Sequence, residues 1–201
     1  MKGKNYANRK PESERPANDF YPTPSCMVKE LIESGFFPKN KNIKILDPCC
    51  GKYAIGNILR HYGYKNIIEK DLIYGDDFLE KDEDGNYIDF TQYDVIIMNP
   101  PFKLFNKFII KSRYMADKIY SIGKLNFFGT HDRNISGLWN NLQMVLPFDR
   151  QIAFDKPETS DGKVECGMMI TGWFIWDKCW DGLPQIQVLD MQKYIRGKND
   201  D

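Results

Sequence analysis

What this 201-residue chain has little of narrows its chemistry first. It carries two histidines, His61 and His131, and five cysteines, Cys26, Cys49, Cys50, Cys166 and Cys179, with no Cys-x-x-Cys pair. A structural zinc site needs four such ligands at set spacings, so no metal is expected. An odd cysteine count without a secretory context argues against a disulfide framework. No Cys/His arrangement suggests a thiol nucleophile. No apolar run approaches the ~20 residues that span a bilayer. The first residues are polar and basic, without the apolar core of a secretory signal, so the cytoplasm is the expected compartment. There is no excess of charge: 28 Lys and Arg balance 28 Asp and Glu. That disfavours a strongly nonspecific nucleic-acid binder, yet leaves room for a local basic patch, because the field follows the distribution of charge.

What is present fits a soluble globular chain, with 42% hydrophobic and 28% charged residues and enough length for one substantial core. Residues 1–18 read as a flexible basic arm, in which Lys2, Lys4, Arg9, Lys10 and Arg15 outnumber Glu12 and Glu14. Residues 19–195 read as a single domain and 196–201 as a polar tail. The pattern predicts helices at 27–34, 53–62, 103–117 and 137–143. It predicts strands at 43–47, 66–69, 93–98 and 123–128, with a turn at 82–86. Ile152 to Phe154 and Met168 to Trp176 are strand-like with no helix between them, which suggests an antiparallel hairpin. Strands alternating with helices predict an α/β fold with a mostly parallel sheet and helices on both faces.

The most informative stretch is Asp94-Val95-Ile96-Ile97-Met98-Asn99-Pro100-Pro101-Phe102. Its first half is a buried strand. Its second half has no reason in strand stability. Two prolines remove two N–H donors and stiffen the chain, while their carbonyls can accept. The Asn99 side chain adds an acceptor, and an aromatic ring follows. Such a turn suits an N–H₂ group on a flat ring. The lone pair of that amine is delocalised; the Asn99 oxygen and the Pro100 carbonyl, holding both hydrogens, would free it. Phe102 would stack the ring. Positioning and aimed dipoles would carry the rate.

Three strand ends supply further candidates. Asp47-Pro48-Cys49-Cys50-Gly51 is a tight turn after a strand, in which Asp47 can orient the turn or receive a cationic amine. Asp71, with Glu69 as competitor, is placed to accept from ribose hydroxyls. Asp77 and Phe78 suit a purine, the carboxylate accepting from its amine and the ring packing on its face. Each acid alone reads more readily as a solvated turn residue; their order and spacing ahead of Asn99 favour a site.

With these residues in place the chain resembles S-adenosylmethionine-dependent DNA N6-adenine methyltransferases, most of all the small phage and prophage type. The resemblance rests on Asp19-Phe20-Tyr21-Pro22-Thr23-Pro24, Asp47 to Gly51, Gly75-Asp76-Asp77-Phe78-Leu79 and Asn99 to Phe102, in the family's order. It implies a Rossmann-like fold, S-adenosylmethionine as cofactor, and a bacterial or phage-infected cell. It implies that Tyr21, Pro22, Thr23 and Pro24 hold the methionine end of the cofactor. Asp47, Pro48, Cys49 and Gly51 would line its loop, and Asp77 and Phe78 its adenine. Asn99 would touch both cofactor and substrate. The chain departs from the family at Tyr53, where relatives carry a second glycine; Lys52 and Tyr53 are expected to narrow the loop. Phe102 stands where many relatives have Tyr or Trp, and stacking needs only the ring.

Lys103, Lys107 and Lys111 share one helical face and are candidates for phosphate contacts with DNA, or an ordinary solvated face. A paired base cannot reach such a pocket, so the target adenine would be flipped out or single-stranded. Trp173, Phe174 and Trp176 are further stacking candidates or core. Asp155 to Gly167 and His131 to Asn141 are the loops from which sequence choice would come. RNA adenine, cytosine N4 and protein glutamine share the chemistry of a deactivated amine, and a binding protein that has lost turnover is the reading from another class.

Overall fold

The computed structural model describes residues 21–195. The basic arm, the polar tail, and Asp19 and Phe20 of the first motif lie outside the described residues. In chain order the elements are α1 (Ser25–Glu33), β1 (Lys44–Asp47), α2 (Ala54–His61), β2 (Asn66–Glu69), β3 (Tyr93–Met98), α3 (Phe105–Ser112), β4 (Ala116–Lys124), α4 (His131–Ile135), β5 (Leu142–Pro147), β6 (Thr171–Asp177) and β7 (Gln185–Ile186). The strands form one sheet in the order β2-β1-β3-β4-β6-β5-β7. β1 runs parallel to β2 and β3, and β3 to β4. β6 is antiparallel to both β4 and β5.

The central strands read as unbroken apolar runs because helices cover both faces of the sheet. On one face Ile45, Val95, Ile97, Tyr120 and Trp173 pack with Met27, Leu31, Ile55 and Leu59 of α1 and α2. On the other Leu46, Ile96, Met98, Ile119 and Phe174 pack with Phe105, Phe108 and Ile109 of α3. Trp173 and Trp176 are fully buried, and each satisfies its indole N–H at 3.0 Å, on the carbonyls of Met27 and Leu138. With Phe174, also fully buried, they are core rather than stacking surfaces for a substrate.

Four sequence expectations need correction. The helix after Phe102 stops at Ser112, and the next strand starts at Ala116 rather than Gly123. A tight turn, with Tyr114 N–H on the Lys111 carbonyl and Met115 N–H on the Ser112 carbonyl, ends the helix; Phe127 and Phe128 fall in a 3₁₀ turn beyond β4. Residues 137–143 are not a helix, because Gly137 (φ 68°) and Asn141 (φ 60°) are left-handed and break it. The strand that follows, β5, is the outer partner of β6; Ile152 makes only an isolated bridge to Cys166. Among the described residues no helix is long and apolar enough to cross a membrane.

Candidate active site

The strand order reverses at β1, which has β2 on one side and β3 on the other, and a cavity of 540 Å³ opens beyond the carboxyl ends of these strands, as the topology favours. Tyr21, Pro22, Thr23, Asp47, Pro48, Cys49, Gly51, Asp71, Asp77, Phe78 and Asn99 all line it, although the chain separates them by up to 78 positions. Pro24 does not: it precedes α1, with its carbonyl accepting from Met27 N–H at 3.1 Å. Pro101 and Lys103 also reach the wall, whereas Pro100 and Phe102 stand outside it.

Asp47 ends β1 with no exposed surface. Its Oδ1 accepts from Cys49 N–H at 3.2 Å, and its Oδ2 has no partner among the described residues. Burial pushes this carboxyl well above the ordinary value of 3.8, and Glu69 and Asp71 push the same way. An orphaned, buried acceptor in a cavity wall fits a cationic amine. Burial also lifts the neighbouring thiols, Cys49 far up and Cys50 to about 12, so both stay protonated and inert.

Asp71 braces the cavity. Its Oδ2 accepts from Gly51 N–H at 2.8 Å and its Oδ1 from Ile73 N–H at 3.0 Å. A carboxylate has roughly four acceptor sites, so capacity remains for hydroxyls. Glu69, its competitor, turns instead to α2: it pairs with Arg60 and lies against Gly56, where any Cβ would collide with its carboxylate. Asp77 is exposed and holds its own turn through Leu79 N–H at 2.8 Å. The Phe78 ring is buried on Phe108, at 5.1 Å and a tilt of 31°.

At the end of β3 the Asn99 amide nitrogen donates to the Tyr21 carbonyl at 3.4 Å, which leaves its oxygen as the acceptor. The Pro101 carbonyl accepts from Leu104 N–H at 2.8 Å and starts the turn into α3. Phe102 is half-buried, with Lys124 Nζ 4.6 Å above its ring and Phe127 edge-on at 5.9 Å.

The lysine face is broken. Lys103 and Lys107 are exposed, but Lys111 is fully buried. Its Nζ donates to the Phe78 carbonyl at 2.7 Å and lies between the rings of Phe78 and Tyr87, 4.9 and 5.0 Å away. It holds a cavity loop and cannot touch a phosphate.

Of the two residues expected to narrow the loop, Lys52 lines the cavity and Tyr53 does not. Tyr53 takes a left-handed conformation (φ 62°), which favours glycine, and stacks on Tyr74, at 5.4 Å and 8°. The Tyr74 hydroxyl donates to the Gly51 carbonyl at 2.9 Å. Tyr74 was missed in the sequence, as were Leu72 and Ile73, two apolar cavity residues with more than half of their surface exposed. An apolar pair directly after the Asp71 strand end was the available signal. Glu158 had none: from the far loop it accepts from the backbone N–H and, at 2.7 Å, the hydroxyl of Ser25, at the start of α1.

No protein-family model and no curated protein matches this chain. Solved structures do. A Pyrococcus horikoshii protein described as an RNA methyltransferase superposes with a TM-score of 0.57 at 18% identity, over 82% of this chain and 90% of that one. A class I S-adenosylmethionine-dependent methyltransferase from Listeria monocytogenes gives 0.54 at 16% identity, over 87% and 66%. The methyltransferase subunit of a type I restriction-modification system from Streptococcus thermophilus gives 0.58 at 13% identity, over 90% and 48%. The fold is that of the S-adenosylmethionine-dependent methyltransferases. This chain spans about half the length of the restriction-modification subunit. In a methyltransferase fold S-adenosylmethionine is the expected cofactor. The cavity fits it chemically: the orphaned Asp47 oxygen would suit its amine, Asp71 its ribose, and Asp77 and Phe78, with the apolar Leu72 and Ile73 nearby, its base.

Proposed function

We propose that the chain transfers a methyl group from S-adenosylmethionine to the exocyclic N6 of adenine in DNA. The observation that supports this reading is the engagement of the Asn99 amide nitrogen by the Tyr21 carbonyl in the cavity wall, which leaves its oxygen as the acceptor for a substrate amine. Bound S-adenosylmethionine would supply a methyl group on a positively charged sulfur. Asp47 would receive the cofactor's amine, Asp71 its ribose, and Asp77 with Phe78 its adenine; Tyr21, Pro22 and Thr23 would wall the methionine end. Asn99 and the Pro100 carbonyl would accept the two N6 hydrogens and localise the lone pair. Phe102, outside the cavity, would stack a flipped-out adenine, and Lys103 and Lys107 would meet the DNA backbone. The description of the P. horikoshii protein as an RNA methyltransferase, and of the S. thermophilus protein as a restriction-modification methyltransferase subunit, supports a nucleic-acid substrate class.

The test is methyl transfer from labelled S-adenosylmethionine to unmethylated DNA, with nucleoside analysis of the product. N6-methyladenine is the expected result. N4-methylcytosine, methylated RNA or methylated glutamine would keep the amine chemistry and replace the substrate. Cofactor binding without transfer to any of these would leave a binding protein.

A further inference from the structure

Arg133 of α4 lies close to the Asn99–Phe102 turn, linked to it through the Phe127 ring. Its guanidinium lies over the Phe127 ring, with Cζ 4.1 Å from the centroid. Nε donates to the Asn106 side-chain oxygen at 2.8 Å, and Nη1 to the Thr130 hydroxyl at 2.9 Å. Both partners are neutral, and among the described residues no carboxylate pairs with it. The fork is therefore fixed in direction with its charge uncancelled, and its Nη2 donors are not used by described residues. The side chain is half-buried, so one edge reaches solvent.

The Phe127 ring beneath it meets Phe102 edge-on at 5.9 Å, and Lys124 Nζ lies 4.6 Å above Phe102. Lys124, Phe102, Phe127 and Arg133 thus form a run of cation, ring, ring, cation across the carboxyl ends of β3 and β4. The guanidinium is no more than about 10 Å from the Phe102 ring, a length that covers only about three phosphates of a strand. Cations interleaved with rings suit a nucleic-acid strand, and a rigid fork suits phosphate oxygens.

We propose that Arg133 binds a backbone phosphate of the nucleic-acid strand whose target base enters the Asn99–Phe102 turn. The inference rests on the nucleic-acid reading above and adds a contact held against α3 through Asn106, besides Lys103 and Lys107. It also gives part of the 131–141 loop a role in holding any sequence rather than choosing one.

The test is anisotropy of a labelled oligodeoxynucleotide with the full-length protein and S-adenosylhomocysteine, over about 50 to 200 mM salt. Arg133→Gln is expected to weaken binding about tenfold, equally on unrelated sequences, and to make the log–log salt slope shallower by about 1. Arg133→Lys, which keeps the charge, is expected to restore the slope while binding more weakly than wild type. S-adenosylhomocysteine affinity should not move. A residue that merely anchors Asn106 and Thr130 would lower the melting temperature and leave the slope alone. Wild-type binding with an unchanged slope in Arg133→Gln overturns the proposal by itself. A wild-type protein that binds neither DNA nor RNA, single- or double-stranded, overturns the substrate reading and this inference together.

Discussion

Lys111 and Phe78 are joined by a single hydrogen bond, ammonium to carbonyl at 2.7 Å, that ties α3 to the wall of the cavity from a fully buried side chain. Lys111→Met keeps the apolar stem and leaves the Phe78 carbonyl without its donor. The expected loss is about 1.5–3 kcal/mol, as for a bond to a charged group, read as a lower urea midpoint. The amides of Leu79 and Glu80, both held by Asp77, should exchange faster with solvent. Unchanged exchange would show that the loop stands without this bond.

Asp47 sets a pH dependence. Burial raises its carboxyl well above 3.8, so between 3.8 and that raised value the folded state holds a proton that the unfolded state has released. Stability then falls as pH rises through this window and is not regained above it. Asp47→Asn should flatten the fall and leave the cofactor-free protein more stable than wild type at neutral pH. The same variant should bind S-adenosylhomocysteine more weakly, having lost the acceptor charge. Calorimetry in buffers of different ionisation enthalpy, run at pH values within that window, should find a proton released when wild type binds and none for Asp47→Asn.

Asn99→Ala removes one of two proposed acceptors. Turnover should drop on the order of 10²-fold, by analogy with the loss of one aimed group at a developing charge, while S-adenosylhomocysteine affinity holds. Full activity in this variant would place the chemistry elsewhere.

Tyr53 separates strain from stacking. A side chain in the left-handed region costs about 1–2 kcal/mol, here set against an aromatic stack on Tyr74. Tyr53→Ala keeps the strain and loses the stack; Tyr53→Gly loses both. The glycine variant should therefore be the more stable of the two by about 1 kcal/mol in urea melts. Equal midpoints would mean that the backbone relaxes out of this conformation.

Much of the site was legible because its residues sit at strand ends, where local sequence fixes both position and direction. Asp47, Asp71 and Asn99 could be placed from the runs that precede them. The errors came where local pattern loses to long-range packing. Lys111 shares helical spacing with Lys103 and Lys107, yet Phe78 and Tyr87, far off in sequence, enclose it. Tyr53 looked like an obstruction because nothing in its own segment reveals Tyr74 as a partner. Residues 137–143 carry helix-like apolar spacing, and only the left-handed backbone at Gly137 and Asn141 shows why no helix forms. Glu158 reaches Ser25 across 133 positions, a separation that no motif spans.

That long reach has a measurable side. Pro24 provides no side-chain cap for α1, so the Glu158 carboxylate supplies the acceptor at its start. Glu158→Ala should cost about 1 kcal/mol and make the 155–167 loop easier to cleave with protease. A loop that resists cleavage as well as wild type would show that its backbone bonds, such as Val164 N–H to the Tyr194 carbonyl at 2.8 Å and Ala153 N–H to the Glu165 carbonyl at 3.0 Å, hold it without this contact.

The place of β6 between β4 and β5 also dictates a schedule for synthesis. Every described cavity-lining residue has been synthesised by Phe108, and β4 by Lys124. The strand that joins β4 to β5 is made only at 171–177. For the time it takes to translate the intervening residues, the nascent chain holds its pocket residues beside an open sheet edge, with Phe105 and Ile119 lacking the cover of Phe174 and Trp176. Open edges of that kind pair with other chains, and domains begin folding from the N-terminal side. A pause or truncation before Thr171 would thus yield aggregates from a chain whose site residues are all present.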